Sequence, residues 1–328
     1  MAHRPPRIES HIQRRTPTRH DRRQSGAAIV TALLVVSLAT LVVAGLFYRE
    51  NVTVRSVENR LALAQTHWIE RGVLEWTKVV LMVDQRQSGG AAVDHLQESW
   101  AQPILDTRLD ETVTAGATIG DSSRSAMLAG QIFDAQARLN LNNMVLGNDA
   151  NAQLQNQKAL RKLLDLTGQP SSLADTLLAR LRAAYPPAAS GKAVKPTALP
   201  LIRVADLRLL GFDDGVIAAI EPYVIFLPAI TTVNLNTAEA IVIAAAIDDL
   251  DLEVARRFVA QTRRQYARVV DAQPALNRSA TLPPNMVGVN SSFFIVRGVV
   301  RYDRVEAQTE TLMQRQSDKV DIVWQQRS

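Results

Sequence analysis

The chain of 328 residues contains no cysteine. That excludes a disulfide-stapled fold, thiolate zinc sites, iron–sulfur clusters and a cysteine nucleophile together. Histidine is nearly as scarce: of five, His3, His11 and His20 fall in the first 26 residues, leaving His67 and His95. No HExxH, P-loop or G-x-S-x-G occurs, and Gly191-Lys192-Ala193 lacks both the earlier glycine and the Ser/Thr of a Walker A. The inventory argues against an enzyme; a carboxylate-only hydrolase has no feature in its favour. Proline is missing between Pro17 and Pro103, so nothing there breaks a helix.

Excess charge is missing from most of the chain. The formal net charge is +5, but residues 1–26 hold seven arginines against Glu9 and Asp21, and the remainder carries 30 basic and 30 acidic side chains. All the basicity is in the leader. Nucleic-acid binding rests on an excess of Lys and Arg facing phosphate, so a neutral body weakens that class of function.

What is present begins at Gly26. Residues 27–48 are uncharged until Arg49, and 22 residues at ~1.5 Å each span roughly 33 Å, a bilayer's hydrocarbon thickness. Arginines on the N-terminal side hold that end in the cytoplasm, so the C-terminal part is delivered to the opposite face, the periplasm in a Gram-negative cell. The run is too long for an ordinary cleaved secretory signal; an uncleaved signal anchor is the simple alternative. An amphipathic pattern then continues: Val54, Val57, Leu61, Ala64 and Trp68 recur at steps of 3 and 4, and Ile69, Val73, Trp76, Val80 and Val83 follow with the same steps. One helix is expected from about Ala27 to about Asp84.

A short basic leader ending in Gly26, an apolar run from Ala27 and a long helix entering a soluble domain resemble a type IV prepilin or a type II secretion pseudopilin. The resemblance implies cleavage after Gly26 by prepilin peptidase and N-methylation of Ala27. Where such proteins usually carry glutamate, at the fifth mature position, this chain has Thr31, which cannot pair with a neighbouring subunit's terminal ammonium. Its hydroxyl can bond back to a carbonyl one turn earlier. Lacking the carboxylate is expected of a subunit that docks beneath no earlier one, the first at the tip.

Past a break at residues 85–90, the pattern predicts short elements to about 129, strand-like alternation from Gly130, helices through residues 150–265, and strands near 292–302, 304–314 and 319–325. The expected architecture is α+β. It comprises a basic leader (1–26), the transmembrane (27–48) and amphipathic (49–85) parts of one long helix, a pilin-like body with an antiparallel sheet (86–149 and 266–328), and an all-helical insertion (150–265) resembling helix-hairpin-helix modules. Within it Asp134, Arg138, Asn140, Leu141 and Asn142 look like the D-x-x-x-R-x-N-L-N stretch of the type II secretion minor pseudopilin K family, with Ala137 where many relatives have glycine. Residues 204–212 and the segment holding Asn234, Asn236 and Thr237 look like two further family segments.

Asn236 or Thr237 suits the cap of a helix starting at Ala238, a structural role. The hairpin at Gly211 has no second glycine and would turn Asp213 and Asp214 toward a phosphate, so no nucleic-acid partner is expected and the hairpins read as packing units. Asp248, Asp249, Asp251 and Glu253 lack the spacing of a calcium loop and suit a helix start. The K family implies calcium in the pilin body of some members, yet no ligand set transfers to this chain, so the expectation is no cofactor, with calcium left open.

The resemblance therefore points to a minor pseudopilin of the K type, capping a periplasmic pseudopilus after anchoring in the inner membrane, with I- and J-type minor pseudopilins as partners. Val54, Val57, Leu61 and Trp68 are the candidate contacts, and the outer stripe from Ile69 to Val83 is expected to pack on the chain's own body. The rival readings are a DNA-binding minor pilin of a type IV pilus or competence system, and a signal-anchored periplasmic enzyme.

Overall fold

The computed structural model describes residues 24–87, 93–109, 126–186, 194–261, 264–276 and 282–327. The leader up to residue 23 and residues 187–193 lie outside them. By internal contacts the chain forms two units, Met1–Leu61 and Ala62–Ser328.

The described part of the first unit is helix. α1 (Gln24–Gln87) contributes its residues up to Leu61, and every described side chain from Gly26 to Leu61 is exposed. Leu33, Leu38, Leu41, Leu46 and Phe47 all stand free of protein contact around the helix. An all-round apolar surface with nothing packed on it is the signature of a segment whose solvent is lipid. Among the described residues this is the one helix long and apolar enough to cross a membrane.

In the second unit the remaining turns of α1 are two-faced. Ala62, Thr66, Glu70, Leu74, Thr77, Leu81 and Asp84 are buried at steps of 3 and 4, one face of a 3.6-residue helix. That face lies on a five-stranded antiparallel sheet of order β1-β2-β7-β8-β9, formed by Ile104–Arg108, Ala126–Asp134, Phe293–Tyr302, Val305–Arg315 and Val320–Arg327. The strands are rich in β-branched and aromatic residues, as in Phe293-Phe294-Ile295-Val296 of β7. Leu74 and Leu81 pack with Trp100, Ile132, Phe294, Val296 and Met313 beneath the helix. Trp100 meets Phe294 edge-on at 5.2 Å. On α1, Glu70 accepts hydrogen bonds from Gln325 and Arg327 of β9, which fastens the last strand to the helix.

The second face of the sheet carries the helical part. β2 and β7 are direct neighbours, with Gly130 opposite Gly298 and Asp134 opposite Phe294, and six described α-helices lie between them in sequence. These are α2 (Ala150–Leu166), α3 (Leu173–Ala184), α4 (Asp214–Ile220), α5 (Ala240–Ala246), α6 (Leu252–Val259) and α7 (Val269–Ala272). Their core includes Leu160, Leu163, Leu177, Leu181, Leu207, Ile243 and Phe258, and draws on residues from Leu139 to Val287. Ile225 and Leu227 rest on Phe293, Ile295 and Leu312 of the sheet. Two short parallel pairings tie the segment's ends together: β3 (Leu139–Asn140) with β4 (Val224–Ile225), and β5 (Val233–Asn234) with β6 (Val287–Gly288).

Several elements differ from the sequence expectation, each for a tertiary reason. The helix expected to start at Ala238 begins at Ala240, because Asn234 ends β5 and Asn236 and Thr237 follow it in a turn, their side chains bonded to other segments. The helical pattern expected to run to residue 265 ends at Val259. Beyond it the buried Arg264 donates to the carbonyls of Leu235 and Ala238, and Asn236 grips Tyr266 through both N–H and C=O, so the chain cannot stay helical. Residues Val204–Leu210 are 3-10 rather than α, ended by Gly211 at φ +81°. In β8 Leu312 and Met313 are both fully buried, since this stretch of sheet is covered on both faces.

Candidate assembly surface and buried polar junction

The residues singled out from sequence fall into two groups. The first lies along α1. Gly26 and Ala27 sit in its opening turn. The Thr31 hydroxyl donates to the carbonyls of Ala27 and Ala28 at 3.1 and 3.0 Å, satisfying itself within the helix. Val54, Val57 and Leu61 are 50%, 59% and 51% exposed in the first unit, and Trp68 is 67% exposed in the second. The stripe expected to pack on the body splits: Ile69, Val73 and Val80 do pack, whereas Trp76 and Val83 are 51% and 43% exposed, joined by Val79 at 57%. Steps of 3 and 4 carry both series, but the helix turns ~100° per residue, so Trp76 and Val83 lie on the Trp68 face.

The second group forms a buried polar junction where β2, the inserted segment and β7 meet. Asp134, at the end of β2, takes a backbone N–H from Gln136 at 2.7 Å on one oxygen. Its other oxygen accepts from Asn234 Nδ2 at 2.9 Å, Thr237 Oγ1 at 2.6 Å and Ser291 Oγ at 2.6 Å. Asn234 also donates to the Asp94 carbonyl and accepts from the Asn236 N–H, both at 3.0 Å. Asn140 binds the Leu227 N–H at 3.0 Å and the Ala229 carbonyl at 2.8 Å, and Asn142 donates to the Leu227 carbonyl at 2.9 Å. The carboxamides thus serve as artificial backbone, pairing loop amides that no ladder reaches. Asn236 and Thr237 cap no described helix: the Thr237 side chain is spent on Asp134 and that of Asn236 on the Tyr266 backbone.

Arg138 stands apart from this cluster. It is half-buried, and burial followed by the nearby Arg297 guanidinium lowers its pKa, with Glu310, Glu221 and Glu239 acting the other way.

Sequence reasoning missed the residues that complete the junction. Arg315, near the end of β8, donates to Asp94 at 2.6 and 2.7 Å, to Asp84 of α1 at 2.9 Å and to the Ser291 carbonyl at 2.8 Å, and lies over the Phe294 ring at 4.7 Å. Asp94 in turn accepts the Ser291 N–H at 2.7 Å. The one local signal was a charged residue, Arg315, two positions after the apolar pair Leu312-Met313 of β8; Asp94 lies in a stretch with no periodicity at all. Burial pushes Asp134 up to about 6, against the lowering effect of its Ser291 and Thr237 donors. Burial also raises Asp84 and Asp94, opposed chiefly by Arg315.

Asp84, Asp94 and Glu98 bring carboxylate oxygens within 4.8 Å of one another. They do not fit calcium: Arg315 binds both aspartates, and Glu98 accepts from the His95 N–H and Trp100 Nε1 at 2.9 and 2.7 Å. A guanidinium occupies the place a hard cation would need. At the other acidic cluster, Asp251 caps α6 by accepting the Glu253 N–H at 2.7 Å.

Comparison with known proteins bears on both groups. A family model described as type II secretion system (T2SS), protein K, matches residues 233–290, which include Asn234, Asn236 and Thr237. The chain is 28% identical over 323 residues to type II secretion system protein K of Pseudomonas aeruginosa, covering 92% of each chain. It is 24% identical to the protein of the same name from Pectobacterium carotovorum, covering 93% of this chain and 96% of that one. Its fold is similar to a chain in the crystal structure of the GspK-GspI-GspJ complex from the enterotoxigenic Escherichia coli type 2 secretion system, with a TM-score of 0.63 and 16% identity over 83% of this chain and 99% of that one.

Proposed function

We propose that this chain, a member of the type II secretion system protein K family, is a minor pseudopilin that caps the periplasmic pseudopilus and takes part in exporting folded proteins across the outer membrane. The observation that carries the reading is α1 itself: a lipid-suited first half with every side chain free, continuing into a second half that packs a sheet with one face and presents tryptophans on the other. A helix of that design can leave a bilayer sideways and pack among similar helices without losing its own fold.

In this reading residues 1–26 are a leader held in the cytoplasm, residues 27–48 span the inner membrane, and everything after them is periplasmic. Prepilin peptidase cuts after Gly26, which needs only the first helical turn to open, the part of any helix that frays most readily. I- and J-type minor pseudopilins pack against the stripe of Val54, Val57, Leu61 and Trp68. The segment of roughly 150–265 is too bulky to repeat within a close-packed filament, so the subunit sits where nothing stands above it. The role is steric and interfacial, with no catalysis and no cofactor.

Sequencing the mature N-terminus from purified envelopes tests this. Ala27, methylated, is the expected first residue; an intact Met1 in the assembled protein overturns the reading.

A further inference from the structure

A cleft of about 440 Å³ lies beside the polar junction, between the loop 229–232, the start of α2 and residues 284–293. Two carboxamides fix its walls. Gln136 donates to the carbonyls of Thr232 and Asn290 at 3.1 and 3.3 Å and accepts the Ser292 N–H at 2.7 Å, so one side chain spans both sides. Asn143 holds Thr231 by accepting its N–H at 3.2 Å and donating to its carbonyl at 2.7 Å. The frame is set by the fold alone, the usual state of a small-molecule site.

Other polar groups of the cleft are free. The side chains of Asn148, Thr232, Asn290, Ser292 and Gln314 line it and make no hydrogen bond among the described residues. Carboxamides and hydroxyls each donate and accept. Asp149 adds one carboxylate, whose first oxygen caps α2 and whose second meets Asn285 Nδ2 at 3.4 Å. Among the described residues that line the space there is no lysine, arginine or histidine, so nothing there pairs with a phosphate or carboxylate. A single carboxylate with one oxygen committed to a helix cap is a poor start for a hard cation. One apolar side chain stands at the edge: Ile230 is 60% exposed and lies across Gly147, where a Cβ would come within 2.6 Å of Ile230 Cδ1. The φ of +77° at Gly147 calls for glycine as well.

These features describe a neutral ligand dense in hydroxyls, with an amide and a small apolar group. We propose that the cleft binds an N-acetylated hexosamine unit of a glycan chain, its hydroxyls on the free carboxamides and Asp149 and its acetamido methyl against Ile230. A peptide fits less well, because its backbone offers one donor and one acceptor per residue at wide spacing and leaves the hydroxyls and carboxylate of the cleft short of partners. The chemistry of the cleft is independent of the assembly reading. Only the supply of such a glycan, in a cell wall lying between two membranes, rests on the periplasmic placement proposed above.

The test titrates the full-length chain, held in a detergent without sugar groups, with diacetylchitobiose, the disaccharide of N-acetylglucosamine, and reads saturation transfer to its acetamido methyl protons. Binding on the order of 1 mM is expected, with cellobiose, which has hydroxyls in place of the acetamido groups, weaker by about fivefold or more. The double variant Asn290→Ala, Gln314→Ala and the single variant Ile230→Ser change side chains that hold no other part of the fold by hydrogen bonds, and each is expected to weaken binding about fivefold or more at an unchanged melting temperature. Absence of transfer at about 10 mM disaccharide overturns the proposal, as does cellobiose binding within about twofold of diacetylchitobiose, or both variants binding like the unaltered chain. A capped serine and glycine peptide that binds where the disaccharide does not assigns the cleft to peptide and overturns it too. An intact Met1, which sinks the assembly reading, changes none of these outcomes.

Discussion

Asn234 donates to Asp134 across 2.9 Å although 100 residues of chain separate them. The contact joins the end of β2 to the inserted segment, and the same carboxylate oxygen receives Ser291 from the entry to β7. One acidic side chain thus fixes where the insertion leaves the sheet and where it returns. Charge-assisted bonds of this kind are the stronger class, and losing one partner leaves others buried and unmatched. Through Ser291 and Asp94 the network reaches Arg315 and then Asp84 of α1, so insertion, sheet and helix share a single polar knot.

The knot makes stability depend on pH. A carboxyl raised to about 6 when folded binds its proton more tightly folded than unfolded. Its contribution is full below its ordinary value near 3.8 and is lost as pH rises through about 6. Asp84 and Asp94, also raised, act in the same direction. Asp134→Asn is expected to be less stable than the unaltered chain, with a gap that narrows by up to about 3 kcal/mol between about pH 4 and pH 7.5. Urea denaturation at the two pH values reads this directly. A gap that widens with pH contradicts the assignment.

Glu70 is 3% exposed on α1 and receives both Gln325 and Arg327 from β9. Glu70→Ala leaves those donors without their acceptor and is expected to destabilise the body by about 2 kcal/mol. The loss falls mainly on the edge strand, so amide exchange should accelerate in residues 320–327 well before it does in β7. Uniform acceleration across the sheet would show that the clasp has no local role.

Thr31 bonds within its own helix and is exposed there. Thr31→Glu places a carboxylate two turns into α1, close to the N-terminal end of the apolar run that begins after Gly26. Membrane insertion is expected to be unchanged, judged by fractionation and by the N-terminal residue. Loss of insertion would mean that this position serves anchoring rather than subunit order.

How much was legible follows from range. The helix through 27–84 could be read because apolar content and the missing proline act over consecutive residues, and the strands of the C-terminal third because β-branched alternation is equally local. The stripe from Ile69 to Val83 was assigned to the body as one set, yet Ile69, Val73 and Val80 pack there while Trp76 and Val83 are exposed, since steps of 3 and 4 do not say which side of a helix meets the sheet. The motif residues Asp134, Asn140, Asn142, Asn234, Asn236 and Thr237 stood out as a pattern, but Asn236 and Thr237 were read as helix caps because capping is the commonest local use of those side chains.

By itself the amino-acid order determined the anchor, the long rod, the neutral body and the alternation of strand and helix, all consequences of neighbours along the chain. Only the folded arrangement decided that Arg315, Asp94 and Ser291 would meet Asp134 and Asn234, and that Trp76 and Val83 would be left exposed. Those outcomes depend on which surfaces close against each other, and burial of a charge or exposure of a tryptophan has no meaning until they do.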